Sequence, residues 1–188
     1  LVTTVEAKHG WSVEQEEGRK KEIQALTEFY PFSSVTVLDY PTTQLDTVPI
    51  GSLVGDISRV AREIKPKIVY LPYPGDAHTD HRVVFDASAP LTKHFRYPFV
   101  EEVRVYETPS ETDFGFSPIE PPFRPNLFVN ITDTLDGKLK GIQLFPNEIG
   151  KHPFPRSTTQ VESLARVRGG AAGFDAAEAF MLLIQRKP

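Results

Sequence analysis

One stretch of the sequence decides the fold: Lys67-Ile68-Val69-Tyr70-Leu71-Pro72-Tyr73-Pro74-Gly75-Asp76-Ala77-His78-Thr79-Asp80-His81. Its first six residues are almost continuously apolar, which is typical of a short parallel strand covered on both faces. The proline and glycine residues that follow force a turn. Thr79 or Asp80 can then cap the next helix. The stretch therefore predicts a buried strand, a polar loop and a helix.

Helix-like and strand-like segments alternate on both sides of this stretch. Apolar residues at helical or alternating spacing predict the following elements: helices over 13–29, 52–64, 80–91, 132–145 and 159–168, and strands over 1–5, 35–40, 67–72, 100–106, 127–131 and 176–184. We expect Ser12 to cap the first helix and Gly169-Gly170 to end the last one. The alternation predicts an α/β, Rossmann-like fold, with a mostly parallel sheet and helices on both faces.

Length and composition narrow the class of protein. The 188 residues fit a single domain spanning 1–188. The chain contains no cysteine, which excludes disulfides, thiolate zinc sites and thiol nucleophiles. A net charge of -4 argues against a nucleic-acid binder. We see neither a signal peptide nor an apolar run long enough for a membrane span, and we expect a cytoplasmic protein.

The polar loop holds two carboxylates and two imidazoles within six positions, Asp76 to His81. Ligands bind at the carboxyl ends of parallel strands, where this loop begins. A metal held there by His, Asp or Glu can acidify a bound water and polarise a carbonyl, and an imidazole can stabilise an oxyanion or pass a proton. A His-x-x-His pattern is weak by itself, however, and an Asp before a helix is often only a cap. Spacing alone leaves functional and structural roles open.

Several groups of residues carry a family resemblance in the expected order along the chain: Arg19-Lys20-Lys21-Glu22, Ile64 to Tyr70, Gly75 to Arg82, Pro155-Arg156-Ser157, Leu164-Ala165-Arg166, Arg168-Gly169 and Ala177-Glu178-Ala179-Phe180. Together they resemble the LmbE-like, or PIG-L, family of zinc-dependent N-deacetylases. The combination is far more specific than any one group.

The resemblance implies one catalytic Zn²⁺ per chain and a role for each loop residue. His81 would be a zinc ligand, His78 would act as an imidazolium on the tetrahedral intermediate, Asp80 would orient His78, and Asp76 would shape the loop. Arg19 would face the active site. The implied reaction is removal of an N-acetyl group from an N-acetylated amino sugar or sugar conjugate, through attack of a metal-bound water on the acetyl carbonyl.

The sequence departs from the family at one important point. The family's His-Pro-Asp-Asp motif, which follows the first strand and supplies the other zinc ligands and the general base, does not occur here. We therefore expect the first strand and first helix to be missing and the domain to be incomplete at its N-terminus. Because catalytic zinc needs about three protein ligands, the 188-residue segment by itself is expected to be inactive.

Two loops remain open to interpretation. His152 and Arg156 can contact a sugar hydroxyl or a phosphate, or they can belong to a rigid proline-rich connector. The long loop over 108–125 contains Phe114 and Phe116, which can close over a substrate or form a subunit contact in a homo-oligomer.

Two hypotheses of function follow. The first is the deacetylase, whose partner is a small acetylated sugar. The second is a catalytically inactive module of the same fold that binds a sugar or a sugar nucleotide. A non-metal hydrolase or transferase has little support, because the sequence has neither a Gly-x-Ser-x-Gly elbow nor a glycine-rich phosphate loop.

Overall fold

The computed structural model describes residues 1–116 and 121–187. They form two compact units: the first unit is Leu1–Thr42 with Val129–Glu178, and the second is Thr43–Phe128 with Ala179–Pro188. The sequence prediction of one domain stays a prediction. Part of the loop over 108–125, residues 117–120, lies outside the described residues.

The helices and strands of the described residues are, in chain order, β1 (Thr3–Thr4), α1 (Val13–Phe29), β2 (Tyr40–Pro41), α2 (Ile50–Ile64), β3 (Ile68–Pro72), α3 (Thr79–Ser88), β4 (Glu102–Tyr106), β5 (Leu127–Asn130), α4 (Leu135–Ile142), α5 (Thr158–Ala172) and β6 (Ala177–Gln185). Short 3₁₀ turns separate several of them.

The strands form a mixed arrangement. β1 pairs with β2 in parallel, and a separate four-stranded sheet has the order β3-β4-β6-β5. β3 and β4 are parallel over five residue pairs, from Ile68 with Glu102 to Pro72 with Tyr106. β6 runs antiparallel to β4, with an irregularity between Val103 and Arg104. The α/β class predicted from the sequence is confirmed, and the parallel part of the sheet is the part that precedes the polar loop.

The core of the second unit lies against β4. Val103 and Val105 are each 1% exposed, whereas their neighbours in the strand are less buried, as the two-residue period of a strand requires. Burial along β3 differs from the prediction of a strand covered on both faces. β3 stands at the end of the strand order, and its side chains Ile68 and Tyr70 are exposed. Only its last two residues, Leu71 and Pro72, are buried, and they lead directly into the polar loop.

Two elements of the first unit differ in length from their predictions. The expected strand over 35–40 is reduced to the short β2, and Val35 and Val37 are exposed. The expected helix over 132–145 is limited to α4, preceded by a 3₁₀ turn. The N-terminus of α1 matches its prediction, since Ser12 and Gln15 form a reciprocal capping box.

The last helix is longer than predicted. α5 continues through Gly169 and Gly170 to Ala172, and Gly173 ends it in the left-handed conformation, at φ 78°, donating its N–H to the carbonyl oxygen of Gly169. A Cβ atom at Gly169 would lie 2.6 Å from the carbonyl oxygen of Phe174 and 2.7 Å from the backbone of Ala176. Gly169 therefore allows the returning chain to pack directly on the helix.

This packing predicts opposite effects for two adjacent glycines. Gly169→Ala should lower the free energy of unfolding by about 1–3 kcal/mol, because the new methyl group meets backbone that cannot move aside cheaply. Gly170→Ala should raise it by up to about 1 kcal/mol, because Gly170 is exposed, has open space at its Cβ position and gains helix propensity. Chemical denaturation of both variants measures the difference, and equal effects would contradict the close packing at Gly169.

Candidate active site

The polar loop is folded by its own backbone. The N–H of Asp76 donates to the carbonyl oxygen of Tyr73 in a turn directly after β3. His78 then caps α3, because its Nδ1 accepts the N–H of Asp80 at 3.2 Å. The predicted cap, Thr79 or Asp80, is therefore wrong by one or two positions. This local geometry places the side chains of Asp76, His78 and His81 around the start of one helix.

Asp76 and His81 form the central contact of the loop. The Asp76 Oδ2 atom lies 2.6 Å from Nδ1 of His81, and its Oδ1 atom lies 2.6 Å from the hydroxyl of Thr112. The side chain of Asp76 is fully buried. Since an ionised carboxylate can only accept, the His81 proton is placed on Nδ1. The Nε2 atom of His81 is then the ring nitrogen with a free lone pair.

His78 has the opposite arrangement. Its Nδ1 accepts a backbone N–H, so a neutral ring carries its proton on Nε2. The rings of His78 and His81 are stacked, with centroids 5.0 Å apart and planes 9° from parallel. The loop thus presents one imidazole that can donate next to one that can accept or bind a metal.

Asp80 is the second buried carboxylate of this region. Its Oδ2 atom accepts the backbone N–H of Thr43 at 2.7 Å, and its Oδ1 atom accepts that of Leu45 at 3.1 Å. Asp80 therefore anchors the segment 43–45 to the first turn of α3. The predicted role of Asp80 in orienting His78 stays a prediction. The hydrogen bonds of Asp80 to the backbone of Thr43 and Leu45 are observed.

The negative charge of Asp76 affects the pKa of Tyr106. Tyr106 ends β4, and burial raises the pKa of its phenol above the ordinary value. The nearby negative charge of Asp76 raises the pKa of Tyr106 further. The Asp76 side chain is itself fully buried, so its hydrogen bonds are stronger than in water.

Replacing the Asp80 carboxylate should destabilise the protein. In Asp80→Asn, one side-chain oxygen is replaced by an amide nitrogen, which cannot accept the N–H of Thr43 or Leu45. We expect the free energy of unfolding to fall by about 1–3 kcal/mol. Asp86→Asn is the matched control, because Asp86 is exposed on the same helix, and it should change stability by no more than about 0.5 kcal/mol. A wild-type stability for Asp80→Asn would contradict the anchoring role.

Two predicted substrate-binding arginines meet at one glutamate in the first unit. Glu148 forms ion pairs with Arg19 and, at 3.2 Å, with Nη2 of Arg156. Arg156 also donates from Nε to the backbone carbonyl of Glu148 at 2.7 Å. We call these residues, together with Glu22, the Glu148 cluster. His152 lies in the same loop as Arg156, with an exposed side chain, and is joined to Pro153 by a cis peptide bond.

The Glu148 cluster borders a cavity. Glu22 is buried, lies 3.4 Å from Nη1 of Arg19 and accepts from Asn147 at 3.1 Å. Arg19 also stacks on the ring of Phe145, and both side chains line a mainly apolar cavity of about 440 Å³ within the first unit. Sequence reasoning missed Glu148 as the partner of both arginines, because it lies 129 positions from Arg19.

The cluster predicts a stability difference between two glutamates. Glu148→Gln should cost about 1–2 kcal/mol, because it weakens partly buried, charge-assisted bonds to two guanidinium groups. Glu162→Gln, which affects an exposed i,i+4 pair with Arg166 on α5, should cost no more than about 0.5 kcal/mol. Thermal unfolding of the two variants tests this, and an equal loss would show that Glu148 is merely a surface partner.

Comparison with known proteins adds to this geometry. Residues 2–91, which include Arg19 and the whole polar loop, match the family model PIG-L, described as GlcNAc-PI de-N-acetylase. The match covers slightly less than half of the 188 residues. The resemblance noted in the sequence is confirmed. By sequence alone, no curated protein matches.

Solved structures resemble this chain along most of its length. A conserved protein of Thermus thermophilus, TT1542, is 19% identical, with a TM-score of 0.75 over 100% of this chain and 82% of the other. The N,N'-diacetylchitobiose deacetylase of Pyrococcus horikoshii is 19% identical, with a TM-score of 0.69 over 97% and 71%. GalB, a 4-carboxy-2-hydroxymuconate hydratase from Pseudomonas putida, is 18% identical, with a TM-score of 0.66 over 93% and 75%. At these identities the likeness establishes the fold alone.

The polar loop fits only part of a zinc site. A ligating histidine usually donates its other ring N–H to a carboxylate, as His81 does to Asp76. Catalytic zinc, however, needs about three protein ligands. Across residues 1–116 and 121–187, His81 does not belong to any group of three closely spaced His, Asp and Glu ligand atoms. The described loop therefore offers one fitting ligand and does not complete the site.

One such group does occur in the first unit, formed by Glu6, His9 and Asp39, with ligand atoms within 4.8 Å of one another. The ammonium group of Lys8 lies 2.6 Å from Asp39 and 2.9 Å from Glu6. The bond to Lys8 lowers the pKa of Asp39. Lys8 thus already supplies a positive charge to these two carboxylates. The sequence analysis did not connect these residues, because Asp39 is distant from the other two along the chain.

Among the described helices, none combines the length and the apolar character needed to cross a membrane.

Proposed function

We propose that this chain provides the His78–His81 part of the active site of a metal-dependent deacetylase, which hydrolyses the N-acetyl group of an amino sugar or sugar conjugate to acetate and a free amine. One observation carries the proposal: two stacked imidazoles of opposite hydrogen-bonding character stand at the carboxyl end of a parallel strand. The proposal is supported by the description of the matched family as a de-N-acetylase and by the likeness to a chitobiose deacetylase.

His78 and His81 would divide the chemistry between them. His81, fixed by Asp76, would present Nε2 to the Zn²⁺ ion, one per chain, that we expect in the complete site. When bound, such an ion supplies Lewis acidity toward the acetyl carbonyl. His78 would donate its Nε2 proton in a hydrogen bond to the carbonyl oxygen as negative charge develops there. Because Nδ1 of His78 accepts the N–H of Asp80, this hydrogen bond fits the neutral ring and not the imidazolium expected from the sequence.

We propose that the Glu148 cluster binds the sugar. Arg19, Arg156 and the adjacent His152 keep the substrate-binding roles predicted from the sequence, and Asp76 and Asp80 serve as orienting and anchoring residues of the catalytic loop. Because Glu22 and Glu148 balance the charges of the two arginines, the cluster is suited to hydroxyl groups rather than to a phosphate. A cytoplasmic location and a homo-oligomeric state remain predictions.

The alternative is a module that binds a sugar or sugar nucleotide without catalysis. The observation that favours it is the incomplete ligand set at His81 within the described residues. The similarity to a hydratase also indicates that this fold supports more than one reaction.

Acetate release from a panel of N-acetylated sugars, with zinc present, tests the proposal. The protein is assayed as the 188-residue chain and, where its gene encodes residues ahead of Leu1, as the chain extended to its own start. In the active form, His81→Ala should reduce acetate release to background, and His78→Ala should lower kcat by about 10²–10³-fold through the lost hydrogen bond. His94→Ala, which replaces an exposed histidine, is the control and should behave like the wild type.

Elemental analysis of the same samples separates the two functions. About one zinc per chain that is lost in His81→Ala would support the deacetylase. No acetate release and no zinc in either form, together with measurable sugar binding by calorimetry, would instead establish the binding module.

A further inference from the structure

A hydrogen-bond chain reaches His81 from the loop that follows β4. The backbone N–H of Thr108 donates to Oγ1 of Thr112 at 2.8 Å, and Thr112 Oγ1 lies 2.6 Å from Asp76 Oδ1. Asp76 Oδ2 in turn contacts Nδ1 of His81. We propose that Thr112 is a positioning residue, which holds Asp76 in the rotamer that fixes the ring orientation and tautomer of His81.

The direction of every bond in this chain is determined. An N–H can only donate, so the Thr112 oxygen accepts from Thr108. The Thr112 hydroxyl proton is then free for Asp76, and the ionised carboxylate can only accept it. Both oxygens of Asp76 are thereby occupied, one by Thr112 and one by His81. A carboxylate held at both oxygens cannot rotate without losing a bond in a buried environment.

Further contacts hold the Thr112 loop against the catalytic loop. The backbone N–H of Ala77, directly after Asp76, donates to the carbonyl oxygen of Glu111 at 3.0 Å. Gly115 approaches so closely that a Cβ atom there would collide with the carbonyl oxygen of Gly75. Ser110 is held in the left-handed region at φ 76°, which is unfavourable for a residue with a side chain. Backbone contacts on both sides of Thr112 therefore set its distance to Asp76.

This arrangement gives the first part of the long loop a defined function. From the sequence, Phe114 and Phe116 in this loop can close over a substrate or form a subunit contact. The described residues 108–115 contact the polar loop through Asp76 and Ala77, and the closure and subunit-contact roles stay predictions. The effect on catalysis rests on the proposed deacetylase function, whereas the effect on His81 itself does not.

The direct test is the tautomer of His81 in metal-free protein, measured by NMR of ¹⁵N-labelled histidine rings at a pH where the rings are neutral. In the wild type, the His81 signal should show protonation at Nδ1. Thr112→Val removes the hydroxyl and should shift that signal toward the Nε2-protonated form or an exchange average. Thr112→Ser keeps a hydroxyl and should retain the wild-type signal.

Two additional variants keep this test decisive. Thr92→Val removes a hydroxyl that donates to the backbone carbonyl of Ala89 in the same unit, and it should leave His81 unchanged. Gly115→Ala keeps Thr112 but forces the two loops apart, so it should reproduce the shift of Thr112→Val. Circular dichroism confirms that each variant is folded. An unchanged His81 signal in folded Thr112→Val would overturn the proposal, whatever the enzymatic activity of the protein.

Kinetics provide the second readout. If the deacetylase activity is present, Thr112→Val should lower kcat by about 10–100-fold with little change in KM, as for other residues that orient a ligating histidine. Thr112→Ser should recover most of that loss. A shifted His81 signal without deacetylase activity in either form of the wild type, the 188-residue chain or the chain extended to its own start, would support the positioning role while refuting the proposed function. A rise in KM alone would assign Thr112 to substrate binding and contradict the proposal.

Discussion

The buried carboxylate of Asp76 is the group on whose hydrogen bonds the polar loop depends. Removing an ionised group from water is costly unless its oxygens are hydrogen-bonded, so the fully buried Asp76 must have partners for both oxygens. The fold supplies them from two directions, with Thr112 on one side and the His81 ring on the other. The buried charge of Asp76 needs hydrogen bonds, and this need constrains three features together: the position of the loop, the rotamer of Thr112 and the tautomer of His81.

Asp80, in the first turn of α3, is a second buried carboxylate with hydrogen bonds to both oxygens. Its two oxygens bind backbone N–H groups of Thr43 and Leu45, so a segment distant in sequence is joined to the start of α3. Asp76 and Asp80 flank His78, whose own ring is fixed by a backbone N–H. His78 and Asp80 are consequently each held by backbone N–H groups, which can only donate. Groups that are already held in place do not have to be reoriented during a reaction.

Local patterns predicted much of this arrangement. The apolar run at 67–72 and the Tyr-Pro-Gly that follows it identified the positions of β3 and the loop, because strand propensity and turn chemistry are encoded in adjacent residues, but the predicted burial of both faces of β3 was wrong. The partners of the loop could not be found in this way. Thr112 and Thr43 lie 36 and 37 positions from the aspartates that they bind, and nothing in their sequence context distinguishes them from other loop residues. The predicted end of α5 was wrong for a related reason. Gly169 and Gly170 were interpreted as a helix stop, whereas Gly169 is needed for close packing against Phe174 and Ala176.

The fold by itself does not decide the reaction, because a deacetylase and a hydratase are both similar to this chain at nearly the same level. The hydrogen-bond directions in the loop are more informative. Hydrolysis of an amide requires stabilisation of a developing oxyanion and activation of water, and these tasks need a donor and an acceptor or metal ligand side by side. His78 is limited to donating from Nε2 because its Nδ1 accepts from Asp80, and His81 is left to accept at Nε2 because its Nδ1 donates to Asp76. The cap of α3 explains the tautomer of His78 and the bond to Asp76 explains that of His81, so these two structural bonds are what place a donor beside an acceptor.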